Sequence, residues 1–185
     1  MTAAYALGKG LGERGHSLVY GGAKVGLMGE VARGALDAKA HVTGIIPTWL
    51  VSKEIAHDGL PDLRIVASMH ERKAAMETGS DAFVALPGGF GTFEELFEMI
   101  TWSQIGLHAK AIGILNVNGF YDPLLRFIDV AVAQGFVADE HQRLFTVASE
   151  PRALLDAIEA FVPPPLGDPA LDRRGVRPAG GSGLP

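Results

Sequence analysis

Three apolar runs in this chain end in a loop that opens directly into a helix-patterned segment. That alternation constrains the fold more than any other feature. Ser17–Tyr20 stops at Gly21-Gly22 before the helical pattern of Leu27–Lys39, and Leu63–Ala67 passes through Ser68 into His70–Thr78. Ala82–Leu86 stops at Pro87-Gly88-Gly89 before the amphipathic stretch Thr92–Gln104. Val42–Ile46, Ala111–Leu115 and the short Thr146–Ala148 supply further strands. Ala3–Arg14, Leu50–His57, Pro123–Gln134 and Pro151–Phe161 supply further helices, with Pro123 near a first turn and Gly135 past the last. Uniformly apolar strands separated by helices predict an α/β fold, a parallel sheet flanked by helices on both faces.

The 185 residues suffice for one domain with a sizeable core. We assign it residues 1–162. Residues 163–185 begin with three prolines and end in a Gly/Ser/Pro run, with little apolar surface to bury; they read as a disordered tail, or alternatively as a docking segment. A doubly wound sheet normally opens with a strand feeding its first helix. This chain opens in a helix, so either the fold is atypical or a strand that should precede Met1 is absent from the sequence.

Composition removes several classes. The net charge of −5 offers no broad basic surface for a nucleic-acid backbone. The absence of cysteine excludes disulfides, thiolate metal sites and a cysteine nucleophile. No apolar run approaches the roughly 18–20 residues that span a bilayer, and Gly8, Lys9 and Gly10 interrupt the start before it resembles a signal peptide. The expected setting is the cytoplasm, with no membrane and no nucleic acid as partner. The six histidines show neither HxxxH nor HExxH spacing, so no metal is expected. No GxSxG elbow is present.

The stretch Leu86-Pro87-Gly88-Gly89-Phe90-Gly91-Thr92 is the most informative for chemistry. Free backbone N–H groups and the dipole at a helix start favour an anion; glycines let a phosphate approach, and Thr92 adds a hydroxyl. It is neither a Walker loop, since no Lys-Ser/Thr follows, nor a GxGxxG fingerprint. A plain tight turn is the alternative. Behind it, Glu95 and Glu98 share a helical face, whereas Glu94 suits simple dipole complementarity. Met69-His70-Glu71-Arg72-Lys73 occupies a second strand-to-helix junction. Parallel-sheet sites gather at the carboxyl ends of strands, so Arg72 and Lys73 are candidates for holding a phosphate or carboxylate. Tyr20-Gly21-Gly22 is a third such junction, where glycine can equally serve close helix–sheet packing. Phe97, Met99 and Trp102 read as core or interface.

Tyr20-Gly21-Gly22…Val25-Gly26-Leu27-Met28-Gly29, Met69-His70-Glu71-Arg72-Lys73 and Pro87-Gly88-Gly89-Phe90-Gly91-Thr92-Phe93-Glu94-Glu95 together closely resemble the LOG ("Lonely Guy") family. These are cytokinin riboside 5′-monophosphate phosphoribohydrolases, once labelled lysine decarboxylases. The similarity runs on through Trp102–Gly106 and Gly113–Tyr121 and covers roughly Ala4 to Phe161. The resemblance implies a Rossmann-like fold, a homodimer, and hydrolysis of the N-glycosidic bond between an adenine-type base and ribose 5′-phosphate without a cofactor. It matches Arg72 and Glu95 to the catalytic pair and Gly88, Gly89, Gly91 and Thr92 to the phosphate loop. Gly22, Met69, Lys73 and Glu98 then fall among the remaining substrate-binding positions. Two departures stand out. The family's opening strand, with its Gly-Ser-Ser-like loop, has no counterpart here, which suggests a misplaced start or a truncation; and Ala111 replaces a common proline. Related folds also carry molybdenum cofactor without hydrolysing it, which leaves a nucleotide or cofactor binder as the alternative. Lysine decarboxylation would need pyridoxal phosphate on a lysine, and no lysine lies in a recognisable cofactor motif.

Overall fold

The structure is a computed structural model that describes residues 1–51 and 56–165. Its contacts divide into two compact units: Met1–Asp81 with Glu150–Asp156, and Ala82–Ser149 with the described residues from Ala157.

In the first unit the order is α1 (Thr2–Glu13), β1 (Leu18–Tyr20), α2 (Gly26–Asp37), β2 (Val42–Pro47), α3 (Thr48–Val51), β3 (Asp62–Val66) and α4 (Met69–Thr78). The strands form a parallel sheet in the order β1-β2-β3, with Tyr20 opposite Gly44 and Ile45 opposite Arg64. Central β2 is buried along its whole length, as its Val-Thr-Gly-Ile-Ile-Pro sequence demands of a strand covered on both faces. Two glycines set the distance between α1 and α2. A Cβ on Gly8 would strike the Val31 carbonyl oxygen, and one on Gly34 would strike the Tyr5 carbonyl oxygen, so each helix presents a glycine to the other's backbone. Around that crossing the Tyr5 hydroxyl donates to Asp37 (2.9 Å), and the Arg33 guanidinium lies 4.6 Å from the Tyr5 ring centre. Leu154 and Leu155 of α7 (Pro151–Glu159) are buried, and Arg14 pairs with Asp156 at 2.6 Å.

In the second unit β4 (Ala82–Ala85), α5 (Phe90–Gln104), β5 (Ala111–Leu115), α6 (Asp122–Ala133) and β6 (Thr146–Ala148) follow one another, with 3-10 turns at Val117–Gly119 and Asp139–Leu144. The sheet is again parallel, ordered β4-β5-β6, with β5 buried throughout. Ala85, Leu96, Met99, Ile112, Ile114 and Tyr121 form the core, and Phe83, Phe93, Ile100 and Trp102 pack against it. Among the described residues no helix is long and apolar enough to cross a membrane.

The α/β class with parallel strands and covering helices is as the sequence predicts. The strands form two three-stranded parallel sheets where one sheet is predicted, and the remaining differences are at the ends of elements. The helix after Pro87 begins at Phe90 and not at Thr92, because Gly89 takes the extended N-cap conformation and the chain turns helical at once. Of the short helix expected at 50–57, Thr48–Val51 is helical and 52–55 lie outside the described residues. Most of the tail expected at 163–185 lies outside them as well; 163–165 carry no regular structure.

Three stability outcomes follow. A methyl group at the α1–α2 crossing meets backbone that cannot rotate away. Gly34→Ala therefore loses about 1–3 kcal/mol in urea denaturation, and an unchanged midpoint would show that the helices are not in backbone contact. Tyr20 and Tyr121 are both buried, but the Tyr121 hydroxyl donates to the Leu86 carbonyl at 2.5 Å while the Tyr20 hydroxyl has no partner among the described residues. Tyr121→Phe strands a carbonyl and costs roughly 1–3 kcal/mol, whereas Tyr20→Phe is neutral or stabilising in the same titration. Burial pushes both phenols up to about 12 from the ordinary 10.0. Both stay protonated in the folded chain while unfolded tyrosines ionise, so their contribution is complete below pH 10 and lost as pH rises from 10 to 12. A urea midpoint that does not fall over that interval would contradict this.

Candidate active site

The glycine loop of the second unit leaves the carboxyl end of β4, where parallel sheets carry their sites. Gly89 is the N-cap of α5 and contributes no side-chain hydrogen bond. The first intrahelical bond runs from the Phe93 N–H to the Gly89 carbonyl (3.1 Å), so the N–H groups of Phe90, Gly91 and Thr92 point out of the helix start with no intrahelical acceptor. The glycines divide by what a side chain would meet. At Gly88 a Cβ would overlap the Thr92 hydroxyl, so this glycine lets the hydroxyl sit over the loop. At Gly89 and Gly91 a Cβ would meet nothing within 4 Å, and both are exposed. Packing among the described residues gives no reason for glycine at those two positions, and the lack of side chains leaves the helix start open to close approach. Thr92, Glu95 and Glu98 follow at intervals of three, on one face of α5, and both glutamates are half-buried.

What holds this loop was not visible in the sequence. The Tyr121 hydroxyl grips the Leu86 carbonyl just before Pro87. The Tyr121 ring meets Phe93 and Phe120 edge-on, at 6.4 Å and 5.0 Å between ring centres. Its backbone N–H donates to Asn116 Oδ1 (2.7 Å), and Asn116 Nδ2 donates to Asp122 Oδ1 (2.7 Å). The Asn-Val-Asn-Gly-Phe-Tyr turn after β5 was the available signal, with its left-handed Asn118 and Gly119.

The other candidates lie in the first unit. The Ser68 hydroxyl accepts from the Glu71 N–H (3.1 Å), and Glu71 Oε2 accepts from the Ala67 N–H (2.9 Å). Ser68 therefore caps one donor of the first turn of α4, and Glu71 reaches back to the N–H of the residue before the cap, an arrangement close to a capping box and unremarked in the sequence. Arg72 is one residue further on and half-buried; its Nε donates to the Ile45 carbonyl of β2 (3.1 Å), and its terminal nitrogen lies over Gly21. Gly22 is buried with φ +74°, against Ile45 and Ile46 of β2, and its carbonyl accepts from the His57 N–H (2.9 Å). Met69 is exposed at the first position of α4, and Lys73 is half-buried. The structure thus brings Gly21, Gly22 and Arg72 together in one unit, and Gly88, Gly89, Gly91, Thr92, Glu95 and Glu98 in the other.

Three comparisons bear on this arrangement. Residues 28–158 match the family described as "Possible lysine decarboxylase". The cytokinin riboside 5′-monophosphate phosphoribohydrolase LOG of Oryza sativa subsp. japonica is 51% identical over 161 residues, which is 87% of this chain and 66% of that protein. A phosphoribohydrolase of the same description from Arabidopsis thaliana is 50% identical over 161 residues, 76% of its length. The chain thus spans about two thirds to three quarters of the curated relatives it matches. Among solved structures, a molybdenum cofactor binding protein from Rippkaea orientalis superposes with a TM-score of 0.66 over 86% of this chain and 85% of its own, at 23% identity. A molybdenum cofactor carrier protein from Chlamydomonas reinhardtii does so with 0.64 over 86% of each chain, at 21% identity. These two share the fold. The motifs, the match over 28–158 and relatives at half identity agree: the chain belongs to the LOG family of cytokinin riboside 5′-monophosphate phosphoribohydrolases, the family that also carries the lysine decarboxylase description.

Proposed function

We infer that this protein hydrolyses the N-glycosidic bond of a nucleoside 5′-monophosphate, a cytokinin riboside 5′-monophosphate or AMP, releasing the free base and ribose 5-phosphate. The observation that carries the reading is the α5 start. It has outward N–H groups, two exposed glycines and a hydroxyl, with Glu95 one helical step behind Thr92 on the same face. The names of the half-identical relatives support the same reaction.

In this reading the phosphate sits over Gly88–Thr92, and its binding energy orients the bond that breaks. Cleavage passes through an oxocarbenium-like ribose, and the Glu95 carboxylate stabilises that charge or activates the attacking water. Water's oxygen bonds to the ribose C1′, the C1′–N bond breaks, and the base leaves with a proton. Arg72 holds the substrate or the leaving group by charge-assisted hydrogen bonds, with Met69, Lys73, Gly22 and Glu98 completing the contacts. No cofactor is needed. The protein acts as a homodimer in the cytoplasm, without nucleic-acid or membrane partners. Binding of molybdenum cofactor is the weaker reading, because the carriers resemble this chain at 20–23% identity and share its fold alone.

The test is base release, followed by chromatography, from AMP and from isopentenyl-adenosine monophosphate. Glu95→Gln is expected to fold and to bind nucleotide while releasing base at least ~100-fold more slowly, the low end for a general acid–base group. Arg72→Ala weakens both binding and turnover. Release near the wild-type rate by well-folded Glu95→Gln would remove the carboxylate mechanism and leave a nucleotide binder.

A further inference from the structure

We propose that Gly21 is a positioning residue for Arg72: the side chain it lacks is the space in which the Arg72 guanidinium lies. The proposal builds on the reading of Arg72 as a substrate-holding residue.

Gly21 follows the last residue of β1 and is buried. A Cβ there would overlap a terminal nitrogen of Arg72, approach the guanidinium carbon at 3.4 Å and press on Met28 Sδ at 3.1 Å. The backbone does not itself demand glycine, since Gly21 is absent from the positive-φ positions that include its neighbour Gly22. What demands it is the contact. That contact differs in kind from those of Gly8, Gly29 and Gly34, where the added atom would strike main chain. Here it would strike the far ends of two flexible side chains, which can move aside while the fold survives.

The guanidinium cannot move aside without consequence. It is a rigid planar fork. One arm lies over Gly21, and the Nε at its root donates to the Ile45 carbonyl at 3.1 Å. Pushing the arm away tilts the plane and takes the Nε–H off that carbonyl. β1, through Gly21, and β2, through Ile45, thus fix two sides of one planar group carried by α4.

The experiment is a double-mutant cycle on the full chain with Gly21→Ala, Arg72→Ala and the pair. Its readouts are thermal melting, kcat and KM for AMP hydrolysis, and the Arg72 Nε–H resonance recorded without substrate. Gly21→Ala is expected to melt close to the wild type and to shift the Nε–H resonance toward that of a solvent-exposed arginine. Its kcat/KM is expected to fall at least ~10-fold, the scale of one charge-assisted hydrogen bond. In the Arg72→Ala background the same substitution changes kcat/KM by less than ~2-fold, because the group it displaces is already gone. Should Gly21→Ala melt early, the pair regains the melting point of Arg72→Ala, since the clash has lost its partner. Multiplying losses in the pair would overturn the proposal, because a Cβ that blocked the substrate itself would act with or without the arginine. An unmoved Arg72 resonance in Gly21→Ala would overturn it as well. Wild-type turnover by Arg72→Ala would overturn the role that Gly21 serves. The substrate-free resonance separates that failure of the functional reading from a failure of the packing.

Discussion

The helices α4 and α5 both follow the carboxyl ends of parallel strands, and their first turns are capped differently. At α4, the Ser68 hydroxyl takes up the Glu71 N–H within the first turn, and Glu71 takes up the Ala67 N–H just before the cap. At α5, the cap is Gly89, which has no side chain to give. The outward N–H groups there keep their affinity for an anion, and the helix dipole adds to it. That difference is the ground on which we propose the phosphate site at α5. In the proposed reading Arg72, one residue past the donor that Ser68 caps, supplies a side-chain cation in place of a backbone cradle.

Leaving a helix start open has a structural cost that the second unit meets elsewhere. A loop of glycines has little packing of its own and must be held from its base. Tyr121 does this, with its ring buried in the core and its hydroxyl on the Leu86 carbonyl immediately before the loop. Asn116 and Asp122 in turn fix the backbone that carries Tyr121. Burial that raises the phenol to about 12 also keeps it a donor to higher pH than an ordinary tyrosine.

Much of this was legible in the sequence, because apolar runs and helical periodicity are local signals. β5 and β6 lie where the apolar pattern puts them, and the other strands and the longer helices agree within a residue or two. What was not legible depends on distant partners or on exact dihedral angles. The α5 start was placed two residues late because Gly91 argues against helix by propensity, while the extended Gly89 had already set the cap. The grip of Tyr121 on Leu86 spans 35 residues of sequence and leaves no periodic trace. Gly21 and Gly22 looked alike as letters, yet one is needed for its left-handed backbone and the other for the side chain lying over it. Glu95 and Arg72 were singled out by motif, and their placement at strand-to-helix junctions follows from the alternation of strands and helices.

The most direct test of the account is where a phosphate goes. Backbone amide resonances of the full-length chain, titrated with ribose 5-phosphate, read both helix starts at once. Saturable shifts of the Phe90, Gly91 and Thr92 amides are expected, with that of Glu71, which already donates to Ser68, essentially still. Shifts concentrated at α4, or none at Phe90–Thr92 at saturating ligand, would contradict the account.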